Sequence, residues 1–151
     1  MHSPDQLPSQ DHVENRRPEQ LVEQAFDAFT TRDLEAFLEM AHADVEVMLP
    51  TAEIANEGRP YVGHQGIRNY FRDVAEIWEE LRVIPQLIAV RGDVIVVIGR
   101  AYARGAMGIT DTPAGWVVHQ SEGRMHSLHV FWNRQEALAA GGVTEDDLQP
   151  P

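Results

Sequence analysis

The chain has 151 residues and a formal net charge of -12, which predicts one acidic domain with a core of its own. It contains neither cysteine nor lysine, so disulfides, thiolate metal ligands and lysine Schiff bases are excluded. The acidity argues against binding to nucleic acid or to anionic membranes, because both require a basic face. The polar N-terminal stretch and the short apolar runs resemble neither a signal peptide nor a membrane span. We therefore expect a soluble, cytoplasmic protein.

The first half of the chain predicts helices with one strand between them. Prolines and a scarcity of apolar residues predict a disordered tail over residues 1–17. Pro18 suits the first turn of a helix, and Asp33 suits the cap of a second. Apolar residues then recur at helical spacing from Ile67 onward. The predicted elements are helices over 18–30, from 33 to about 41 and over 64–81, a strand over 44–50, and a loop over 51–62.

The second half predicts strands, because the apolar period changes to two. Pro85 weakens the first of these strands or places it at a sheet edge. Glycines and a proline predict an irregular loop over 105–115. The predicted elements are strands over 83–90 and 94–104, a hairpin of 116–121 with 124–132, a short helix ending at Gly141 or Gly142, and an acidic tail over 144–151. Helices followed by mostly antiparallel strands predict an α+β fold, with a curved sheet against three helices.

Four segments match one family pattern in order: FTTRDLEAFLEMAHADVEV, YVGHQGIRNYF, the hairpin EGRM, and EALAAGGV. Together they resemble the nuclear transport factor 2-like superfamily, and within it the SnoaL-like, polyketide cyclase-like branch, over residues 18–143. The resemblance implies a cone-shaped, cystatin-like fold, a pocket between the concave sheet face and the helices, and a homodimer. It does not fix the function, because members include isomerases, epoxide hydrolases, dehydratases, cyclases and non-catalytic adaptors.

The acid–base groups of ketosteroid isomerases are missing at the positions that the resemblance assigns to them. Those enzymes use an aspartate base and an oxyanion hole made by a tyrosine and a protonated aspartic acid. Here the base falls on Leu49, the tyrosine on Ala25 and the oxyanion aspartate on Gly115. The resemblance therefore implies a retained pocket but disfavours steroid isomerisation.

A histidine pair in the predicted hairpin is the strongest candidate for chemistry. If Glu122 and Gly123 form the turn, His119 lies directly opposite His126, where the pair would suit proton transfer near neutral pH. A one-residue bulge would instead place the two rings on opposite faces. Two histidines are too few for a catalytic zinc, which usually has three protein ligands. We predict His119 and His126 as catalytic residues, with no metal and no cofactor.

Inward-facing apolar and aromatic residues predict the lining of a pocket. They are Phe26, Leu49, Tyr61, Phe71, Trp78, Val117, Leu128, Val130 and Trp132. Two functions remain open. The first is a cofactor-free cyclase, isomerase or dehydratase acting on a small, largely apolar molecule. The second is a non-catalytic ligand-binding or dimerisation module. The predicted partners are thus a small apolar molecule and a second copy of the chain, with no nucleic acid and no membrane.

Overall fold

The computed structural model describes residues 16–151, in which helices pack against a curved, six-stranded mixed sheet. The predicted disordered tail lies outside the described residues, apart from its last two. Over residues 16–151, no helix is long and apolar enough to cross a membrane. The helices are α1 (Pro18–Thr31), α2 (Leu34–Glu39), α3 (Thr51–Ala55), α4 (Gly63–Ile77) and α5 (Arg134–Gly141). The strands are β1 (Ala41–Met48), β2 (Tyr61–Val62), β3 (Trp78–Arg91), β4 (Val94–Gly105), β5 (Gly108–Ser121) and β6 (Arg124–Phe131).

The helix starts follow the predicted signals. Pro18 occupies the first turn of α1, where its missing N–H costs no hydrogen bond. The side chain of Asp33 accepts a hydrogen bond from the backbone N–H of Ala36 at 3.1 Å and so caps α2. Helix α5 ends at Gly141, and Gly142 follows in a left-handed conformation. These three predictions are confirmed.

Two segments that were predicted to be loops form regular structure instead. Residues 51–62 contain α3 and β2, and residues 105–115 continue from β4 into β5 through a turn at Ala106 and Met107. Gly108 makes this tight reversal possible because its φ of 123° is accessible only to glycine. The glycines of this segment therefore mark a hairpin turn and not an irregular loop. Helix α4 ends at Ile77, four residues before the predicted end, because the chain extends there into β3.

The strands are ordered β2-β1-β6-β5-β4-β3, with β1 and β6 parallel and the other neighbours antiparallel. Pro85 lies in β3 at the outer edge of the sheet, as predicted, and the register with β4 shifts just after it. Strands β3, β4 and β5 are the longest in the sheet, so they extend beyond β1 and β6 and form one wall of a concave surface.

The two faces of the sheet carry separate hydrophobic cores. Trp116 and Val118 lie in the larger core, on the concave face beneath α1, α2 and α4, whereas Val117 belongs to the smaller convex core with Ala137 of α5. Gly115 also faces this convex side, because a Cβ atom there would lie 2.6 Å from the Cβ of Ala137. The position matched to the oxyanion aspartate therefore points away from the concave side.

Both ends of the described chain are tied into the fold beyond residues 18–143. Arg16 is buried, and its Nη1 donates a hydrogen bond of 2.8 Å to the carbonyl oxygen of Gly123 in the β5–β6 turn. The acidic C-terminal segment forms a 3-10 turn over Glu145–Asp147. Gln149 then pairs with Ile88 through two backbone hydrogen bonds of 2.8 and 2.9 Å. The C-terminal segment thus packs along the outer edge of β3.

Candidate functional site

A cavity of about 260 Å³ lies between the concave face of the sheet and the helices. Apolar side chains dominate its wall, and all three tryptophans of the chain are part of it. The lining residues are Phe29, Leu49, Pro50, Thr51, Ile54, Tyr70, Trp78, Leu81, Val83, Ala101, Ala103, Thr110, Thr112, Trp116, Val130 and Trp132. Concave, mostly apolar spaces with a few polar groups are typical of small-molecule sites in proteins.

The strand alternation explains why this side of the sheet is apolar. On β4, Ala101 and Ala103 face the cavity, while Arg100, Tyr102 and Arg104 face outward. The outward arginines are neutralised locally: Arg100 pairs with an aspartate on β5 and Arg104 with a glutamate on β3, each at 3.0 Å. The small alanine side chains leave the space that larger residues would fill.

The cavity has a buried end and an open mouth. Leu49, Thr51 and Tyr70 are almost fully buried and form the inner end. At the mouth, Ile54 is 50% exposed and Trp132 is 52% exposed, although both are large apolar side chains. A ligand would therefore pass exposed apolar side chains at the mouth and reach an inner end that is shielded from solvent.

The buried end contains the hydroxyl groups of Thr51 and Tyr70. The indole Nε1–H of Trp78 donates to Thr51 Oγ1 at 3.3 Å, which fixes the position of that hydroxyl. Burial raises the pKa of the Tyr70 phenol far above its ordinary value, and the opposing influences of Thr51 and Arg32 are smaller. Tyr70 is therefore a neutral hydrogen-bond donor over the physiological pH range.

No histidine, aspartate, glutamate or arginine is among the cavity-lining residues within 16–151. The hydroxyl and indole groups of the lining can donate hydrogen bonds, but none of them is a base near neutral pH. Leu49, at the position matched to the base of the ketosteroid isomerases, borders the cavity with an inert side chain. The arrangement can bind and orient an uncharged molecule but offers no proton acceptor of its own.

Four of the predicted ligand-binding residues border this cavity: Leu49, Trp78, Val130 and Trp132. The alternation of β1 and β6 identified Leu49 and Val130 correctly as inward-facing. Trp78 is the first residue of β3, and Trp132 follows the last residue of β6. The periodicity of the neighbouring helix or strand therefore still predicts correctly which side each tryptophan faces.

The other five predicted ligand-binding residues do not border it. Phe26 packs edge-on against Trp116 at 5.1 Å between ring centroids, and Phe71 packs in the neighbouring aromatic core. Tyr61 is buried behind α4, where its hydroxyl donates to Asp73 Oδ2 at 2.8 Å. Leu128 is buried in the concave core, and Val117 points to the convex face.

The sequence interpretation missed several lining residues. Tyr70 lies on the helical face that Ile67 and Val74 define, so the helical period alone marked it as inward. Thr110 and Thr112 share the period-two alternation that continues to Trp116, but the loop predicted there hid that signal. Thr51 and Ile54 lie in the unpredicted helix α3, which no strong start signal marks.

The predicted pairing of His119 with His126 is wrong because the hairpin contains a bulge. His119 lies opposite Ser127, Gln120 lies opposite Met125, and His126 is the extra residue between them. The ring of His126 packs against His42 at 4.4 Å between centroids, and its Nε2 lies 2.6 Å from Ser121 Oγ. Neither histidine borders the apolar cavity.

His119 instead borders a cleft of about 210 Å³ on the convex side. His129, Glu46 and Ser127 line the same cleft, next to helix α5. Over residues 16–151, no group of three or more histidine, cysteine, aspartate or glutamate side chains is arranged to hold a metal ion. The acid–base role of His119 and His126 stays a prediction, and for His119 it now concerns the convex face.

The open curved sheet, the helices across its concave face and the cavity between them define a nuclear transport factor 2-like α+β protein. The chain belongs to the SnoaL-like domain family, whose sequence model matches residues 22–137. The fold and family predicted from the sequence are thus confirmed. No curated protein matches the chain.

Solved structures share this fold at low sequence identity. An NTF2-like protein of unknown function from Burkholderia pseudomallei is 22% identical, with a TM-score of 0.68, covering 82% of this chain and 95% of its own. TerC co-crystallised with polyporic acid is 21% identical, with a TM-score of 0.67 and coverages of 80% and 94%. A candidate SnoaL-like polyketide cyclase from Shewanella denitrificans is 18% identical, with a TM-score of 0.63 and coverages of 83% and 97%. At these identities the likeness shows the fold alone.

Proposed function

We propose that the chain binds a small, uncharged, largely apolar molecule in the concave cavity and performs no acid–base chemistry on it there. One observation carries the proposal: the cavity is concave and aromatic, yet within residues 16–151 no histidine, aspartate, glutamate or arginine lines it. Its volume of about 260 Å³ lies just below the usual range for drug-sized ligands, which favours a molecule of one or two rings.

The expected affinity follows from the apolar area that such a ligand would bury. Removing about 200 Å² of apolar ligand surface from water is worth roughly 5 kcal/mol before the cost of association. The full 5 kcal/mol corresponds to a dissociation constant of about 0.2 mM, so fragment-sized aromatics should bind with dissociation constants of about 0.2 mM or weaker. TerC, which shares this fold, was crystallised with polyporic acid, so the panel of probes includes this compound beside smaller, uncharged ones.

The three tryptophans provide the test, because all of them line the cavity. The full chain would be labelled with 5-fluorotryptophan and titrated with a panel of small aromatic and alicyclic compounds, while the three ¹⁹F resonances are followed. Trp→Phe variants assign each resonance. We expect a saturable shift of Trp78 and Trp116 with at least one class of apolar compound. The absence of any saturable shift across the panel, up to millimolar concentrations, would overturn the proposal.

We also propose that the chain forms a homodimer, as the family resemblance implies. The turn between β4 and β5 carries two exposed apolar side chains, Met107 and Ile109, which a second copy could cover. Light scattering after gel filtration measures the mass directly. Twice the chain mass of 17.0 kDa supports the dimer, and a mass equal to that of one chain contradicts it.

A further inference from the structure

We propose that the buried end of the cavity is a hydrogen-bond-donor subsite, formed by Thr51 and Tyr70, that selects ligands with an uncharged carbonyl oxygen. The inference rests on the proposed ligand-binding function and names the chemical class that the same cavity takes. It predicts that ketones, quinones or esters bind in preference to hydrocarbons or carboxylates of the same shape.

The Thr51 hydroxyl is held in place with a proton to donate. Its oxygen accepts the indole hydrogen bond of Trp78 at 3.3 Å, and its hydroxyl donates toward the Tyr70 oxygen, which lowers the pKa of Tyr70 against the larger effect of burial. Thr51 is almost fully buried and borders the cavity. Thr51 thus orients the Tyr70 hydroxyl, whose own proton can be donated to a ligand oxygen at this end.

The two buried tyrosines of the region differ in what their hydroxyls face. Tyr61 and Tyr70 pack edge to face with ring centroids 5.3 Å apart. The Tyr61 hydroxyl is occupied by the carboxylate of Asp73 at 2.8 Å, and Tyr61 does not border the cavity. Tyr70 does border the cavity, and burial keeps its phenol protonated because it raises the pKa. Tyr70 is therefore the phenol that can donate to a ligand.

The local charge favours a partly negative ligand atom at this end. The guanidinium of Arg32 donates to the carbonyl oxygen of Trp78 at 2.7 Å, and its positive charge favours negative charge on the Tyr70 oxygen. Arg32 does not itself line the cavity, so it cannot pair directly with a ligand. A full carboxylate would lose its hydration without a charged partner, whereas a carbonyl group loses much less.

The threonines at the mouth do not offer the same selection. Thr110 is exposed and Thr112 is half-buried, so water satisfies any ligand group that lies beside them. A donor discriminates between ligands only where water cannot replace the lost partner. The hydroxyl groups of the two threonines on β5 are therefore not expected to favour ligands with a carbonyl group.

Three molecules of nearly one shape test the subsite: acetophenone, with a carbonyl group, α-methylstyrene, with a methylene group in its place, and benzoate, with a carboxylate. Each would be titrated into the full 5-fluorotryptophan-labelled chain, and the dissociation constants compared. We expect acetophenone to bind at least tenfold more tightly than α-methylstyrene, and benzoate to bind most weakly. Tyr70→Phe and Thr51→Val should each reduce the preference for acetophenone to threefold or less.

Matched variants separate the subsite from a general loss of structure. Thr51→Ser keeps the hydroxyl and should keep the preference, and Tyr61→Phe, which removes a buried phenol that does not border the cavity, should leave it unchanged. Equal binding of acetophenone and α-methylstyrene to the wild-type chain would overturn the subsite while leaving the proposed binding function standing. Tighter binding of benzoate than of acetophenone would also overturn it. If none of the three binds and no other apolar compound does, the binding function itself is contradicted.

Discussion

The concave face of the sheet carries an apolar cavity whose described lining has no charged side chains, whereas the convex face carries a cleft of similar size lined by histidines and a glutamate. The cavity on the concave face is lined by tryptophans, alanines and a few hydroxyl groups. The cleft on the convex face brings together His119, His129 and Glu46. The titratable residues of the cleft and the apolar cavity therefore lie on opposite sides of the same strands.

This difference shows that the presence of titratable residues in a sequence does not by itself locate a ligand site. Strand alternation sends neighbouring residues to opposite faces, so Trp116 and Val118 face the concave side while Val117 and His119 face the convex side. A bulge of one residue is enough to undo a predicted pair. Four experiments test how far the two faces act independently.

Filling the cavity should have the largest effect. Ala103→Phe places an aromatic ring in the space that the ligand would occupy, and we expect the affinity for any cavity ligand to fall at least about 100-fold, or roughly 2.7 kcal/mol. Arg100→Phe adds the same side chain to the opposite face of the same strand and should leave the affinity within twofold. Titrations of the labelled chain measure both, and equal losses in the two variants would mean that the ligand binds elsewhere.

Crowding the convex core should affect stability but not binding. Gly115→Ala would bring two Cβ atoms to 2.6 Å, so α5 must move away from the sheet, and we expect a loss of about 1–3 kcal/mol in the free energy of unfolding. Adding Ala137→Gly relieves the contact, so a double-mutant cycle should show favourable coupling between the two changes. Urea unfolding gives the free energies. A large change in ligand affinity in Gly115→Ala would contradict the independence of the faces.

Alkaline conditions should weaken the concave side through its buried phenols. Burial raises the pKa of Tyr70, and burial followed by the hydrogen bond to Asp73 raises the pKa of Tyr61. Both shifts favour the protonated phenol in the folded chain, so their stabilisation is complete below the unfolded pKa of about 10 and is lost as the pH rises further. The urea midpoint should therefore fall above pH 10, and less steeply in Tyr70→Phe. An equal slope in the wild type and the variant would contradict this assignment.

Changing the histidines should have the smallest effect on binding. His119→Gln and His126→Gln remove side chains that do not border the cavity, so ligand affinity should stay within twofold. His126→Gln also removes the contact with Ser121, which lies 2.6 Å away, and should cost about 1 kcal/mol of stability. A tenfold loss of ligand affinity in either variant would indicate that this histidine contributes to the ligand site.

The sequence predicted the fold well because its signals are local and agree with one another. The cap at Asp33, the start at Pro18 and the alternation in β1 and β6 each need only a few neighbouring residues to be recognised. Four motifs in the correct order then identified the family, which the match over residues 22–137 confirms.

The site was harder to predict because it depends on turns and registers. The hairpin tip around Gly108 was interpreted as a loop, so Thr110 and Thr112 were never assigned a face. The extra residue at His126 depends on how two strands align, and neither strand reveals this by itself. Tyr61 was predicted to line the pocket, whereas it is Tyr70, on the next turns of the same region, that borders the cavity. Side-chain direction at these positions is a property of the assembled sheet.

The pairing of Gln149 with Ile88 bears on how the molecules behave when they are crowded. Strand β3 is the outer edge of the sheet and runs over 14 residues, and an unprotected strand of this length is a template for edge-to-edge association. The C-terminal segment covers the middle of that edge with two backbone hydrogen bonds, and the backbone shift after Pro85 interrupts it further along. The segment around Gln149 therefore protects part of this edge strand from pairing with another molecule. A change that displaces Gln149 should lower the concentration at which the protein stays in solution.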